Sequence, residues 1–340
     1  MDPLLSFGIS FITAFQSLGS WLAAPMELLS FLGSEDFFLI FMPLIYWCVD
    51  AGLGVRVAFV LLVSNSLNAG FKLAFQAPRP YWISSNVPAL ASDPNFGVPS
   101  GHAQIAPAVW GMIAAHYRKA WAWAAALVLI LGIGLSRLYL GVHFPHDVLV
   151  GWVLGFLTLW VVLRLWDPVA ARVKDKSSWG QIGLALAFSL AMLVLGGLLL
   201  LLARDHVLPP EWVLNATRAV GAAPDPFGNS MSAFITAAGT LFGLWAGLAW
   251  ITRRGGFDAR GRLWKRIVRY AVGVLVVILL YAGTKAIFPS GDTLLPAGFR
   301  FLRYALVGFW VAGGAPWLFA RLRLTEGRQG QQVPRRGQAL

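Results

Sequence analysis

Apolar stretches long enough to cross a membrane recur along most of this chain of 340 residues. Hydrophobic residues make up 58% of the sequence and charged residues only 12%, proportions that exclude an ordinary soluble domain. A helix needs about 20 apolar residues to cross the ~30 Å hydrocarbon core of a bilayer. We therefore predict an all-α, multi-pass transmembrane helical bundle. The nine predicted spans are 36–50, 54–76, 102–117, 120–136, 147–166, 180–203, 229–252, 267–288 and 298–320.

The N-terminal stretch 4–22 mixes leucine and phenylalanine with serine and glutamine. This mixture is typical of an amphipathic interfacial helix, and the stretch is also long enough to cross the membrane. We expect it to be retained in the mature protein, because no positively charged region follows Met1. The single cysteine, Cys48, excludes an intrachain disulfide, and its apolar neighbours favour a packing role.

The basic residues indicate a topology rather than a nucleic-acid surface, although the net charge is +12. If the nine spans alternate in direction, 19 of the 27 Lys and Arg residues fall on one side. The positive-inside rule makes that side cytoplasmic, so we expect no nucleic-acid partner. We expect a bacterial cytoplasmic membrane, with the opposite side facing the periplasm or exterior. The basic residues on that opposite side are Lys72, Arg79, Arg137, Arg204, Arg218, Lys285, Arg300 and Arg303.

Three polar segments converge on this extracytoplasmic side, and the first ends the second predicted span. Lys72 and Arg79 are seven positions apart, about two helical turns, so they share one face if the helix continues. Pro78 and Pro80 then end the helix. Either cation taken alone is also typical of a side chain that reaches from the end of a span towards the interface.

The second segment, Pro99 to His102, closes a polar loop and opens the next apolar helix. Ser100 is placed to cap that helix, and Gly101 permits close approach by an anion. The exposed N–H groups of a helix N-terminus favour phosphate, and His102 would lie beside it in the first turn. A simple turn followed by an interfacial histidine is the alternative interpretation.

The third segment joins two further spans and carries a guanidinium, an imidazole and a carboxylate. Asp147 begins an apolar helix, where an unpaired carboxylate is costly, so we expect a partner for it. His143 lies one helical turn before it. An Asp–His pair fixes the tautomer of the imidazole and leaves its other nitrogen able to attack an electrophile. Arg137 supplies a third cation to the same side.

Together the segments resemble the three-part signature of the type 2 phosphatidic acid phosphatase family, K-x6-R-P, then P-S-G-H, then S-R-x5-H-x3-D. The order and spacing match over roughly residues 25–165. Within the membrane branch of that family, residues 33–35 and 43–47 are similar to long-chain-base phosphate phosphatases and their bacterial relatives. The signature residues are Lys72, Arg79, Pro80, Pro99, Ser100, Gly101, His102, Ser136, Arg137, His143 and Asp147.

The resemblance implies a lipid phosphatase that forms a phosphohistidine on His143, with Asp147 holding the imidazole. It implies that His102 protonates the leaving group and then activates water. It also implies that the remaining signature residues bind the phosphate. These phosphate-binding residues are Lys72, Arg79, Ser100, Gly101 and Arg137.

Other chemistries fit parts of this pattern. Histidine and carboxylate clusters also bind metals, but three cations directed at one site would repel a divalent ion, and the family signature is metal-independent. We therefore expect no metal and no cofactor. A lipid carrier or scramblase could use the same cations to bind a phosphate headgroup without hydrolysis. Oxidative chemistry is a further alternative, because vanadium haloperoxidases share the family's fold and anion site, but the membrane spans argue against it. His146 is expected to be a local polar contact.

The loop Trp82–Val98 lies between the first two segments and is expected to border the headgroup site. The composition of this loop does not indicate which substrate is bound. The expected partners are a phosphorylated lipid and the surrounding membrane lipids. A soluble phosphosugar would suit the same chemistry without lateral access from the bilayer.

The signature ends in the first half of the chain, and we predict three regions. Residues 1–177 form the phosphatase core, and residues 178–324 form a four-span extension with no second His–Asp pair. Residues 325–340 are polar and basic, as in a disordered cytoplasmic tail that touches anionic lipid.

Small residues in the extension recur every four positions at Gly239, Gly243 and Gly247. Such a face lets two helices approach closely in a membrane. The partner helix can belong to the same chain or to a second copy, so the oligomeric state stays open.

Overall fold

The computed structural model describes residues 2–291 and 293–326, and helices account for all regular secondary structure in that part of the chain. A π-helical turn, Ile45–Val49, continues α3, and a second, Trp310–Gly314, joins α13 to α14. The helices are α1 Pro3–Gln16, α2 Ala23–Phe31, α3 Glu35–Leu44, α4 Ala51–Phe75, α5 Pro80–Ile83, α6 Gly101–Tyr117, α7 Ala120–Tyr139, α8 Pro145–Lys174, α9 Ser178–Ala203, α10 Pro210–Val220, α11 Pro226–Thr252, α12 Leu263–Ile287, α13 Leu294–Phe309 and α14 Ala315–Arg321.

Seven helical segments of the described chain are long and apolar enough to cross a membrane. They are Ala51–Ile83, Ala120–Tyr139, Pro145–Lys174, Ser178–Ala203, Pro226–Thr252, Leu263–Ile287 and Leu294–Arg321. The multi-pass helical class is therefore confirmed, and seven of the nine expected spans correspond to these segments.

The two other expected spans, 36–50 and 102–117, are helical but short. Helix α3 has 10 residues before its π-helical turn, and α6 has 17. Helix α6 is enclosed by α4, α7 and α8 and is mostly buried in protein. Because it faces other helices rather than lipid, its length and composition do not have to match the bilayer.

The N-terminal stretch forms α1 and then bends by 90° into the segment Ser20–Phe31. Counted as one unit, this bent pair would be an eighth span. Helix α1 packs along the end of α7, where Gln16 Nε2 donates hydrogen bonds to the carbonyl oxygens of Pro88 at 2.9 Å and Tyr139 at 2.8 Å. These contacts tie the loop between the first two signature segments to the third segment.

A buried amide network joins α4 to α6 at the end of the bundle where the signature segments meet. Asn68 Nδ2 donates to Gln104 Oε1 at 2.9 Å, and Gln104 Nε2 donates to the Ser64 carbonyl oxygen at 3.0 Å. Asn68 also donates to the Pro99 carbonyl oxygen at 3.2 Å. Buried amides are costly unless they are paired, so this network fixes the register of the two helices below the site.

The glycine face of α11 packs within the chain. Added Cβ atoms at Gly239, Gly243 and Gly247 would meet the backbone of α13, including the carbonyl oxygens of Phe301, Ala305 and Phe309. The close approach needs residues without side chains on α11. Of the two possible partners for this face, the structure shows the intramolecular one.

Replacing Gly243 with alanine should therefore destabilise the bundle, because the new Cβ would collide with backbone that cannot rotate away. We expect a loss of about 1–3 kcal/mol, measured as a lower thermal unfolding midpoint in detergent. The matched control is Gly197→Ala on α9, where nothing lies within 4 Å of the added atom. That control should unfold at or above the wild-type temperature, and Gly243→Ala doing the same would contradict the packing.

The extension also reaches α5 and the loop that follows it. Trp212 of α10 packs on Trp82 with ring centroids 6.2 Å apart, and Asn215 Nδ2 donates to the Trp82 carbonyl oxygen at 3.0 Å. The Asp225 N–H, at the start of α11, donates to the Pro94 carbonyl oxygen at 3.1 Å. Of the predicted tail 325–340, residues 327–340 lie outside the described part of the chain.

Candidate active site

The three signature segments meet at one end of the bundle formed by α4, α6, α7 and α8. The Ser100 N–H donates to the Asp147 carbonyl oxygen at 3.0 Å, which joins the second segment to the third. Arg79 Nη1 donates to the Val142 carbonyl oxygen at 2.8 Å, which joins the first segment to the third. Segments that are far apart in sequence are therefore tied together at this end of the bundle.

His143 and Asp147 form a buried pair, and neither residue is exposed. His143 Nδ1 lies 3.2 Å from Asp147 Oδ2, which also accepts a 2.8 Å hydrogen bond from the Phe144 N–H. An ionised carboxylate only accepts hydrogen bonds, so Nδ1 carries the proton in this arrangement. The lone pair of His143 is then on Nε2, which points away from Asp147.

Arg79 lies on the other side of the imidazole and is fully buried. Its Nη1 donates to His143 Nε2 at 3.2 Å, and backbone carbonyl oxygens of Asn95, Val142 and Phe96 accept three further hydrogen bonds. A guanidinium has five N–H groups, so these four bonds leave one N–H, on Nη2. Asp93 Oδ2 lies 2.7 Å from that nitrogen.

The other phosphate-binding candidates keep donors available within the described chain. Arg137 donates from Nη1 to Ser30 Oγ, while its buried Nε meets no acceptor there. Ser100 occupies the N-cap position of α6 as expected, but its side chain makes no capping bond, and its buried Oγ has no partner in the described structure. Buried donors without a partner are costly, so these atoms fit a site that binds an anion.

Asp93 is the site residue that the sequence analysis missed. Its carboxylate lies 2.7 Å from Arg79 Nη2 and 3.9 Å from Lys72 Nζ, inside the cluster of cations. Burial raises the pKa of this carboxyl group, but Arg79, Lys72 and Arg137 lower it more, so the net pKa lies well below its usual range. The signal available in the sequence was a single acidic residue in a loop flanked by two cationic segments.

His102 lies in the first turn of α6 and packs against the start of the chain segment before α3. An added Cβ at Gly33 would lie 3.4 Å from His102 Cδ2, so the His102 side chain lies close to Gly33. His146 Nε2 lies 3.1 Å from Asp147 Oδ1 without the alignment of a hydrogen bond. His146 also stacks on Phe144, with ring centroids 5.3 Å apart.

Electrostatics at the site favour a neutral imidazole on His143. The pKa of His143 lies well below its usual value, first because of burial and then because of the positive charges of Arg79, Arg137 and Lys72, with His102 also contributing. Burial disfavours the charged imidazolium, and nearby cations disfavour it further.

Comparisons with known proteins find two family models that match parts of this chain. The family model of the PAP2 superfamily matches residues 53–169, and a second model, the transmembrane extension of PAP2 superfamily phosphatases, matches residues 235–328. Phosphatidylglycerophosphatase B of Bacillus subtilis is 31% identical over 173 residues, which cover 46% of this chain and 80% of that relative. The chain belongs to the PAP2 superfamily. The resemblance inferred from the three motifs is confirmed.

Other PAP2 relatives extend the similarity beyond the core. Human glucose-6-phosphatase 3 is 28% identical over 218 residues, which cover 57% of this chain but only 62% of that relative. The catalytic subunit 1 of mouse glucose-6-phosphatase is 27% identical over 314 residues, covering 82% of this chain and 84% of the relative. No solved structure shows a significant match to the chain.

Proposed function

We propose that this PAP2 protein is a metal-independent membrane phosphatase that hydrolyses a phosphate monoester or pyrophosphate of a lipid through a phosphohistidine intermediate. The observation that carries the proposal is the orientation of His143. Its Nδ1 is 3.2 Å from Asp147, and its Nε2 points at the guanidinium of Arg79. A buried imidazole with one nitrogen fixed by a carboxylate and the other among cations is suited to attack phosphorus.

The first chemical step would form the phosphoenzyme. His143 Nε2 attacks phosphorus, the bond from phosphorus to the ester oxygen breaks, and that bond's electron pair leaves with the oxygen. His102 donates a proton to the departing oxygen, so a lipid monoester releases a neutral alcohol and a lipid pyrophosphate releases the lipid monophosphate. Asp147 stabilises the positive imidazolium by accepting from Nδ1–H.

The second step would release phosphate. A water oxygen attacks phosphorus while His102, now neutral, accepts a proton from it. The bond between phosphorus and Nε2 breaks, and His143 returns to its neutral form. The cations Lys72, Arg79 and Arg137, with Ser100 and the Gly101 N–H, would stabilise the negative charge on the non-bridging oxygens in both steps.

The orientation in the membrane is part of the proposal. The positive-inside distribution of Lys and Arg supports an active site that faces the periplasm or exterior. Intact cells expressing the protein should therefore hydrolyse a water-soluble phosphate ester that cannot cross the membrane. A rate that rose only after the cells were permeabilised would place the site on the cytoplasmic side.

A soluble sugar phosphate is the second candidate substrate class. One observation favours it, namely that similarity to the glucose-6-phosphatase catalytic subunit continues over 82% of this chain, beyond the PAP2 core. The chemistry would be unchanged, because the attacking and binding residues act on the phosphate. The two classes differ only in whether the leaving group lies in the bilayer or in water.

The test is phosphate release by the purified protein from a panel containing lipid monoesters, an isoprenoid pyrophosphate and a sugar phosphate. Activity should persist in EDTA and be inhibited by orthovanadate. A radiolabelled substrate should leave label on the protein that survives base and is lost in acid, as a phosphohistidine requires. Lipid transport without phosphate release, unchanged in His143→Ala, would instead identify a carrier, and activity that needed added zinc or magnesium would overturn the metal-independent mechanism.

The pH dependence follows from the lowered pKa of His143. Attack needs the neutral imidazole, and a lower pKa keeps this form populated at more acidic pH. The acid limb of kcat/KM, which reports the free enzyme, should therefore lie below the value of ~6.5 expected for an unperturbed histidine. The phosphate group of the substrate also titrates, with a pKa of ~6. This titration is measured separately, and the kcat/KM profile is corrected for it. An acid limb above 6.5 after this correction would argue against a neutral His143.

A further inference from the structure

We propose that the carboxylate of Asp93 occupies the place of a phosphate oxygen on Arg79 and Lys72, so that phosphate binding displaces it. The inference rests on the proposed function only in taking phosphate as the ligand. Asp93 then sets the affinity of the site for phosphate, because each binding event includes the loss of its two ion pairs and of the hydrogen bond that its Oδ1 accepts from the Asn95 N–H.

The hydrogen bonds of Arg79 show why displacement is needed. Four of its five N–H groups are donated, three to backbone carbonyls and one to His143 Nε2, and Asp93 lies beside the nitrogen that carries the fifth. The three backbone acceptors are fixed by the fold. An incoming phosphate can therefore gain donors from Arg79 only by replacing Asp93, His143 Nε2 or both, and Nε2 has to be released for attack in any case.

Hydrogen bonds hold the backbone around Asp93 from several sides. The displacement of its carboxylate by phosphate is therefore limited to a side-chain movement. The Tyr81 hydroxyl donates to the Asp93 carbonyl oxygen at 2.8 Å, and the Asp225 N–H donates to that of Pro94 at 3.1 Å. The Gly97 N–H donates to the Ala77 carbonyl oxygen at 2.8 Å. The Asp93 side chain is 19% exposed, whereas Arg79 is fully buried, so the carboxylate can rotate towards solvent while the cations stay in place.

Removing the Asp93 carboxylate should change phosphate affinity by removing a competitor for the cations, and not by disturbing the orientation of Arg79. Arg79 is positioned by three carbonyl oxygens and His143 and does not need Asp93 to stay oriented. A site whose binding-competent form is only a fraction of the population has an apparent affinity reduced by that fraction. If Asp93 occupies the cations about nine-tenths of the time, its removal should tighten phosphate binding roughly tenfold.

The experiment measures binding of inorganic phosphate to the full-length protein in detergent, by calorimetry and by the shift of the thermal unfolding midpoint. Asp93→Asn should bind phosphate roughly tenfold more tightly than the wild type. Asp93→Glu is the matched control, because it keeps the competing charge and should show no such gain. Asp93→Ser should reproduce the tighter binding if the asparagine variant cannot be purified.

Equal or weaker phosphate binding by Asp93→Asn or Asp93→Ser would overturn the inference. Failure of both variants to fold would also overturn it, since an exchangeable side chain on an anchored loop should not be needed for folding. The binding measurement does not depend on catalytic turnover. If the wild type bound phosphate but hydrolysed nothing in the panel, the proposed function would fail while the tighter binding of Asp93→Asn could still be observed.

Discussion

Replacing His143 with alanine is expected to reduce phosphate release by on the order of 10⁴-fold or more and to abolish labelling of the protein by radioactive substrate. The reason is chemical, because in the proposed mechanism the imidazole forms the bond to phosphorus. Asp147 holds the far side of the ring through Nδ1 at 3.2 Å, so Nε2 is the nitrogen left to attack. The measurement is phosphate release by the purified variant under saturating substrate, with labelling measured in parallel.

The matched control for this variant is His116→Ala. His116 lies on α6, at the opposite end from the site, and is exposed. It should keep wild-type turnover and a wild-type unfolding temperature. A His143→Ala protein that folds normally and still forms a labelled, acid-sensitive intermediate would show that another residue is the nucleophile.

Replacing His102 with glutamine should produce a loss that depends on the leaving group. For an alkyl phosphate, whose departing alkoxide is strongly basic, removal of the general acid should cost about 10²–10⁴-fold in turnover. For an aryl phosphate, whose phenolate leaves without protonation, formation of the phosphoenzyme should be much less affected. Glutamine keeps a polar side chain at the start of α6 without the titrating group.

The measurement compares burst and steady-state rates for the two ester classes. With the aryl ester, the burst that reports phosphoenzyme formation should remain, while the later hydrolysis is slowed because His102 also activates water. An equal loss of burst rate for alkyl and aryl esters would contradict the general-acid role. Such a result would indicate that His102 acts through binding or packing.

Much of the core of the site could be predicted, because its residues lie at the ends of helices. Lys72 is in the last turn of α4, His102 in the first turn of α6, and Asp147 in the first turn of α8. Alternation of spans brings these ends to the same face, so sequence order is enough to place them together. The family motif then supplied roles that residue type alone left open.

Asp93 could not be predicted in the same way, because it lies in an irregular loop. Its position depends on contacts across the fold, including the Tyr81 hydroxyl on its carbonyl oxygen and the Asn95 N–H on its Oδ1 at 3.0 Å. The loop Trp82–Val98 was expected to border the site, but no periodicity indicates which of its side chains turns inward. Only the three-dimensional structure reveals the ion pair with Arg79.

The fold departs from the expected pattern where protein contacts replace lipid contacts. Hydropathy treats α6 as one more span, yet it is surrounded by other helices. Helix α10 was not predicted, since its 11 residues are too short and too polar to resemble a span. Its proline start and the spacing of Trp212, Asn215 and Ala216 are signals of an amphipathic helix that lies on a protein surface.

The hydrogen bond between Asp225 and Pro94 ties the lengths of two loops together. One runs from α5 to α6 and carries Asp93, and the other runs from α9 to α11 through α10. An insertion in either loop would separate Pro94 from its donor unless the other loop changed to follow it. Length changes in these two segments should therefore occur in pairs among proteins that share both halves, and a chimaera joining the core of one such protein to the extension of another should fail when the pair is mismatched.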